Sequence, residues 1–353
     1  MLRRRTDRLA SRFGVMPTPL REHAAADCTG RGVTIAFLDT GFAPHHDLTR
    51  SKSRILEYVD VTGEGVELVS DGLPFRWHGT MAAVVAAGNG FLSGGLYRSL
   101  AWEANVVLVK VGRDGVISPE DLARGLEWVL ANRERHQIRV ISLALEQAED
   151  GYDPDPLDLA AEEAVRQGMV VVAPTSEDEL VPPAGSPSVI TVGGYLDHHQ
   201  PDVEGIELYA HHYGLDGEGP VKPDVVSPAA YVAAPSLPGA PTERRSDAVF
   251  RLARAPERSL PKLVENLRSQ AELPSWLVGL SVDEIRSVLV QLSEQEKFVN
   301  PHYQHVDGTS FGASIVTALV AQMLQANPGL NPAAIRQILV STAERISRAP
   351  NLS

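Results

Sequence analysis

The sequence predicts an α/β protein: a mostly parallel central sheet covered by helices on both faces, broken late in the chain by a helical insertion. Two observations carry this. Short runs rich in β-branched residues, "VTIAFLD", "ANVVLVKV", "IRVISLAL", "MVVVAP" and "SVITVGGY", recur from residue 33 onward. Such near-continuous apolar runs suit strands buried on both faces. Between them stand segments with helical spacing, as crossovers between parallel strands require.

Each element has a local reason. "VTIAFLD" ends in a Thr-Gly turn, and "GTMAAVVAAG" is Ala-rich and helical. "SPEDLARGLEWVLANRE" opens with a Ser cap and two acids in its first turn. Its apolar residues Leu122, Leu126, Val129 and Leu130 then repeat at three and four. "PLDLAAEEAVRQG" is a helix with a glycine stop. From about residue 236 to 304 the rhythm changes to three helices. One is expected to begin near Ser246, one at Ser259 with Pro261 tolerated in its first turn, and one at Ser281 with Glu284 completing a capping box. Leu260, Leu263, Val264 and Leu267 share one face, as do Ile285, Val288, Leu289 and Leu292. With Trp276 they predict a small satellite core.

Composition narrows the function. The 353 residues are 43% hydrophobic and 22% charged, as in globular proteins, and the net charge is -13. That charge argues against nucleic acid as a partner, which calls for a basic face. No uninterrupted apolar run of about 18 residues is present, so no membrane span is expected. The lone Cys28 forms no internal disulfide, and the basic start "MLRRRTDRLASRF" leads into no apolar run of secretory length. Cytoplasm is the expected compartment.

Asp39 ends a predicted strand, His78 opens a predicted helix and Ser310 opens another. In a parallel sheet, functional groups gather where strands end and helices begin. A serine hydroxyl needs a base to become a nucleophile. An imidazole supplies one near neutral pH, and a carboxylate holds that imidazole in the useful tautomer. Taken alone, Ser310 also reads as a helix cap, and it can be both cap and nucleophile.

The flanks add a resemblance. "GRGVTIAFLDTGFAPHHDL" resembles the aspartate block of the subtilases, and "WHGTMAAVVAAG" their histidine block. "VKPDVVSPA" resembles their K-P-D-V-V-A-P-G segment, "DGTSFGAS" their serine block, and "NPGLNPAAIRQILVSTAERI" their closing helix pair. The likeness covers about residues 30–235 and 305–347. It implies a subtilisin-like three-layer fold, with residues 1–30 as an N-terminal extension and 31–353 as a peptidase domain carrying the insertion at about 236–304. It implies a serine endopeptidase acting on a protein or peptide substrate. Asp39 would orient, His78 would act as general base and then acid, and Ser310 would attack the scissile carbonyl. No cofactor is required. Calcium is possible, because Asp47 matches an aspartate that ligates it in many members and "GNGFLSGG" stands where a calcium loop usually lies. The short extension matches intracellular members.

Departures from the family pattern qualify the activity. Ser176, in "VVVAPTSED", occupies the place of the Asn that donates to the oxyanion, and is a weak substitute; the backbone N–H of Ser310 would be another donor. The substrate-binding strand continues through Ala144, Leu145 and Glu146, with Glu146 and Gln147 at two glycine positions. Glu146 either narrows the first specificity pocket, favouring a positively charged P1 residue, or points to solvent. Ser314 replaces a helix-start Pro with little effect. The alternative function is a degenerate subtilase that binds a peptide or partner without cutting. The insertion would overhang the cleft or dock a protein partner. The histidine pairs at 45–46, 198–199 and 211–212 match no zinc spacing and read as surface residues.

Overall fold

The computed structural model describes residues 15–65, 76–143, 155–176, 180–198, 206–209, 214–215 and 221–346. The apolar runs form strands β1 (Thr34–Asp39), β2 (Ile55–Asp60), β3 (Asn105–Lys110), β4 (Ile138–Leu143), β5 (Val170–Pro174), β6 (Ile190–Leu196) and β7 (Val225–Pro228). They lie in the order β7-β6-β5-β4-β1-β3-β2, and every neighbouring pair is parallel. A two-residue strand, Glu207–Leu208, pairs antiparallel with β6. The parallel strands therefore share one carboxyl edge.

Among the described residues, the helices longer than one turn are α1 (Trp77–Ala87), α2 (Pro119–His136), α3 (Pro156–Arg166), α4 (Pro241–Ala253), α5 (Leu260–Leu267), α6 (Val282–Gln295), α7 (Thr309–Ala326) and α8 (Pro332–Thr342). Successive strand residues point to opposite faces, so the sheet builds two cores. Ile35, Phe37, Val106, Leu108 and Val172 face α1, α7 and α8. Ala36, Leu38, Val107, Val109 and Val171 face α2 and α3. This is the expected three-layer arrangement. Ser118 caps α2 by accepting the Asp121 N–H. Helix α7 is apolar and long enough to cross a membrane by composition alone, but it is 72% buried inside the protein. A helix buried on all sides needs an apolar surface on all sides.

The helical segment expected as an insertion grows from a hairpin. Strand β8 (Val232–Pro235) pairs antiparallel with β10 (Tyr303–Val306), which also pairs with β9 (Phe298–Asn300). Helices α4 to α6 fill the connection, and β10 leads straight into Ser310. Helix α4 starts at Pro241, not near Ser246. Pro at the first position is pre-set for a helix, whereas Ser246 is buried and donates its hydroxyl to the Asn300 carbonyl at 3.0 Å. Helices α5 and α6 begin where expected, and both bonds of the Ser281–Glu284 capping box form. Leu252, Leu260, Val264, Leu277, Ile285, Leu289 and Phe298 make a separate core. Trp276 is not part of it: it stands 59% exposed, and its neighbour Leu277 fills the space.

Candidate active site

Asp39 is the last residue of β1 and is 1% exposed. One carboxylate oxygen accepts the Thr40 N–H at 2.7 Å and the Thr40 hydroxyl at 3.1 Å. The other lies 2.8 Å from Nδ1 of His78, the second residue of α1. An Nδ1–H donating to the carboxylate places the ring's lone pair on Nε2, the tautomer a base requires. Trp77 sits edge-on to the imidazole, with ring centroids 5.2 Å apart.

Close approach of α1 to the end of β1 depends on Gly79. A Cβ there would lie 2.5 Å from the Gly41 carbonyl oxygen and 2.9 Å from the Asp39 Cβ. Thr80 fastens the same turn: its hydroxyl donates to the Arg76 carbonyl and accepts the Ala43 N–H at 2.9 Å. The histidine block thus supplies the imidazole, the gap it needs and the tie that holds it.

Ser310 is the second residue of α7 and is 9% exposed. Gly308 is the N-cap, and no side chain caps the helix. The Ser310 hydroxyl is therefore not used as the cap. Its turn is pinned on three sides. The Gly308 N–H donates to the Ala229 carbonyl at 2.7 Å, and the Thr309 hydroxyl to the Thr175 carbonyl at 2.6 Å. Asp307 accepts the Tyr231 N–H at 2.8 Å and the Lys297 ammonium at 2.6 Å. Phe311 carries its ring to 5.6 Å from the His78 ring centroid, so the start of α7 meets the start of α1. Both helices begin at the carboxyl edge of the sheet, where their amino ends offer partial positive charge.

Ser176 follows Thr175, the residue that anchors Thr309, and is half-buried there. It thus leaves β5 beside the amino end of α7. Ala144, Leu145 and Glu146 lie outside the described residues, as do His199, His211 and His212. Asp47 is fully buried, with one oxygen accepting the Tyr303 hydroxyl at 2.5 Å and the other the Leu92 N–H at 3.3 Å. Both oxygens thus accept a hydrogen bond, and one carboxylate alone supplies fewer oxygens than a calcium ion takes. Among the described residues, no group of three or more metal-ligating side chains is present.

Two features leave no mark in the sequence. His45, expected at the surface, is fully buried, and burial lowers its pKa to about 4. Its Nδ1 accepts the Asp47 N–H at 3.2 Å. Tyr303, from the far end of the insertion, closes the same buried network. The nearest sequence signal is the polar run "HHDL", which reads the same in a surface turn.

Residues 30–352 match the subtilase family. Serine protease AprX of Bacillus subtilis (strain 168) is 28% identical over 332 residues, covering 90% of this chain and 62% of that protein. Minor extracellular protease Epr of the same strain is 26% identical over 195 residues, covering 53% of this chain and 27% of that protein. The chain thus spans less than two thirds of either relative's length. Among solved structures, a cold adapted subtilisin-like serine proteinase matches with a TM-score of 0.56 at 18% identity. That match covers 90% of this chain and 85% of the other, and is a likeness of fold.

Proposed function

The chain belongs to the subtilase family, and on that premise we propose that it is a serine endopeptidase working through Asp39, His78 and Ser310. The observation that carries this is the 2.8 Å contact between Asp39 and His78 at the sheet edge where α7 presents Ser310. In the proposed reaction, His78 Nε2 takes the Ser310 hydroxyl proton as the oxygen bonds to the substrate carbonyl carbon. Asp39 stabilises the imidazolium. His78 then gives that proton to the departing amine as the C–N bond breaks. Water, activated by the same imidazole, releases the acyl group and restores Ser310. The developing oxyanion would be met by the Ser310 N–H and by the Ser176 hydroxyl, a shorter and freely rotating donor.

Labelling with a fluorophosphonate, followed by peptide mapping, tests the assignment: adduct forms on Ser310 and disappears in Ser310→Ala. Casein turnover should vanish with the same change. The binding-only alternative draws its support from Ser176 at the Asn position and Glu146 at a glycine position. Casein turnover by the intact chain with none by Ser310→Ala overturns that alternative. Folded protein that takes no label overturns the peptidase. The cytoplasmic placement rests on charge and on Cys28, and fractionation that finds the protein in the medium would overturn it.

A further inference from the structure

At the carboxyl end of α4 the chain turns through Pro256 into α5 and encloses a concavity of about 760 Å³. Four cations line it: Arg251, Arg254, Arg258 and Lys262. Ala255, Pro256 and Leu263 add apolar surface to the lining, and no carboxylate lines it. This is unexpected in a chain of net charge -13. Between residues 251 and 262 the sole acid is Glu257.

Elsewhere in this segment Lys297 pairs with Asp307 at 2.6 Å. Arg245, near the other end of α4, pairs with Glu272 at 3.2 Å and Glu296 at 2.9 Å. At the cavity, only Arg251 has an acidic partner, Asp247 at 3.6 Å across one helical turn. Arg254 lies over the Phe250 ring, and Arg254, Arg258 and Lys262 form no ion pair among the described residues. All four cations are exposed. Like charges held together without counterions lower stability, so a concentration of this kind favours binding an anion. The apolar lining residues and the methylene stems of the long side chains add surface for aliphatic groups.

We propose that this cavity docks an acidic, partly apolar polypeptide segment of the substrate, away from the bond that is cut. The proposal rests on the peptidase reading above. Ala240, at the amino end of α4, packs with Ala43 in the loop after Asp39. Helix α4 has 13 residues, so the cavity lies about 20 Å from that contact. An extended chain advances about 3.3 Å per residue, so about six residues match the length of α4. A polypeptide supplies both that reach and the mixed acidic and apolar side chains the lining matches.

Two arms test this. In the first, Ser310→Ala protein is titrated with a fluorescent ten-residue peptide of Glu and Leu, and with a control carrying Gln for each Glu. The acidic peptide should bind at least about tenfold more tightly, an advantage that collapses at 0.5 M salt as exposed charges are screened. The variant Arg254→Glu/Arg258→Glu/Lys262→Glu should lose the preference. These side chains are exposed, so its melting temperature should hold; should it fall, Arg258→Gln/Lys262→Gln serves instead. In the second arm, an acidic segment placed six to ten residues from a cleaved bond should lower KM about tenfold and leave kcat alone, and in the charge-reversed variant it should change neither KM nor kcat. Equal binding of the two peptides overturns the proposal, as does a preference that survives charge reversal. A single-stranded oligonucleotide of equal charge that binds more tightly than the acidic peptide also overturns it. Selective binding with no turnover of either substrate leaves the docking site standing and removes the peptidase reading.

Discussion

Asp39, His78 and Ser310 stand in short blocks whose neighbours place them: the strand before Asp39, the glycine after His78, the Gly-Thr before Ser310. The turn after β5 is different, because Ser176 is half-buried beside the same helix start with a hydroxyl in place of an amide. One side-chain donor to an oxyanion is worth about 10²–10³ in turnover. Ser176→Asn should therefore raise kcat on a peptide substrate by at least about tenfold with KM little changed, since the gain falls on the transition state. An unchanged kcat would remove residue 176 from the oxyanion assignment. His45 behaves oppositely in legibility. Its burial arises from segments far apart in the chain, with Asp47, His46, Glu243 and His302 as its titratable neighbours, and no local pattern announces that. The ordinary imidazole value is 6.5 and burial lowers it to about 4 here. The unfolded chain therefore binds more protons between those values, and stability is lost as pH falls through that window. His45→Asn should flatten the acid limb of a stability–pH curve measured by urea unfolding. An unaltered acid limb would count against the buried imidazole as its source.

At the scale of elements, apolar periodicity locates the strands and helices, because a sheet with two covered faces leaves that mark in every run. The start of α4 departs from expectation because two signals compete, a proline that begins helices and a serine that caps them, and tertiary packing recruits Ser246 to the Asn300 carbonyl. Trp276 departs for a related reason: apolar pattern gives a face, and packing selects Leu277 over its neighbour. The approach of α1 to β1 is not legible at all, since a glycine beside a histidine does not reveal which backbone it must admit. Gly79→Ala tests that approach. Its Cβ would meet the Gly41 carbonyl at 2.5 Å, a backbone atom that cannot swing aside. The helix must retreat, at a cost of about 1–3 kcal/mol, carrying His78 away from Asp39. A misplacement near 1 Å is enough to cost about 10² in rate. Activity should fall far more than the melting temperature, and equal activity would show that the turn yields without moving the imidazole.

Across the whole molecule, the helical segment α4 to α6 has its own core yet is stitched to the body beside the loop after Asp39. The seam is buried: Tyr303 donates to Asp47, while Asp47 also holds the Leu92 N–H, and its carbonyl accepts from Arg54 and from the Asn89 N–H. Val15 and Val299 pack around the Tyr97–Tyr303 ring pair. Sequence could place Asp47 in a family block, but not Tyr303 opposite it, since 256 residues separate the two. The phenol is a fixed hydrogen donor to the buried Asp47 side chain. Removing it leaves that buried group short of a donor, which costs about 1–3 kcal/mol. Tyr303→Phe should lower the melting temperature by a few degrees and speed amide exchange in α4 to α6, because the seam fails before either core does. Asp47→Asn weakens the same contact from the other side, so the double variant should cost less than the two single changes added together. Additive costs would mean that the two residues stabilise the fold independently and that the insertion is held on by its other contacts.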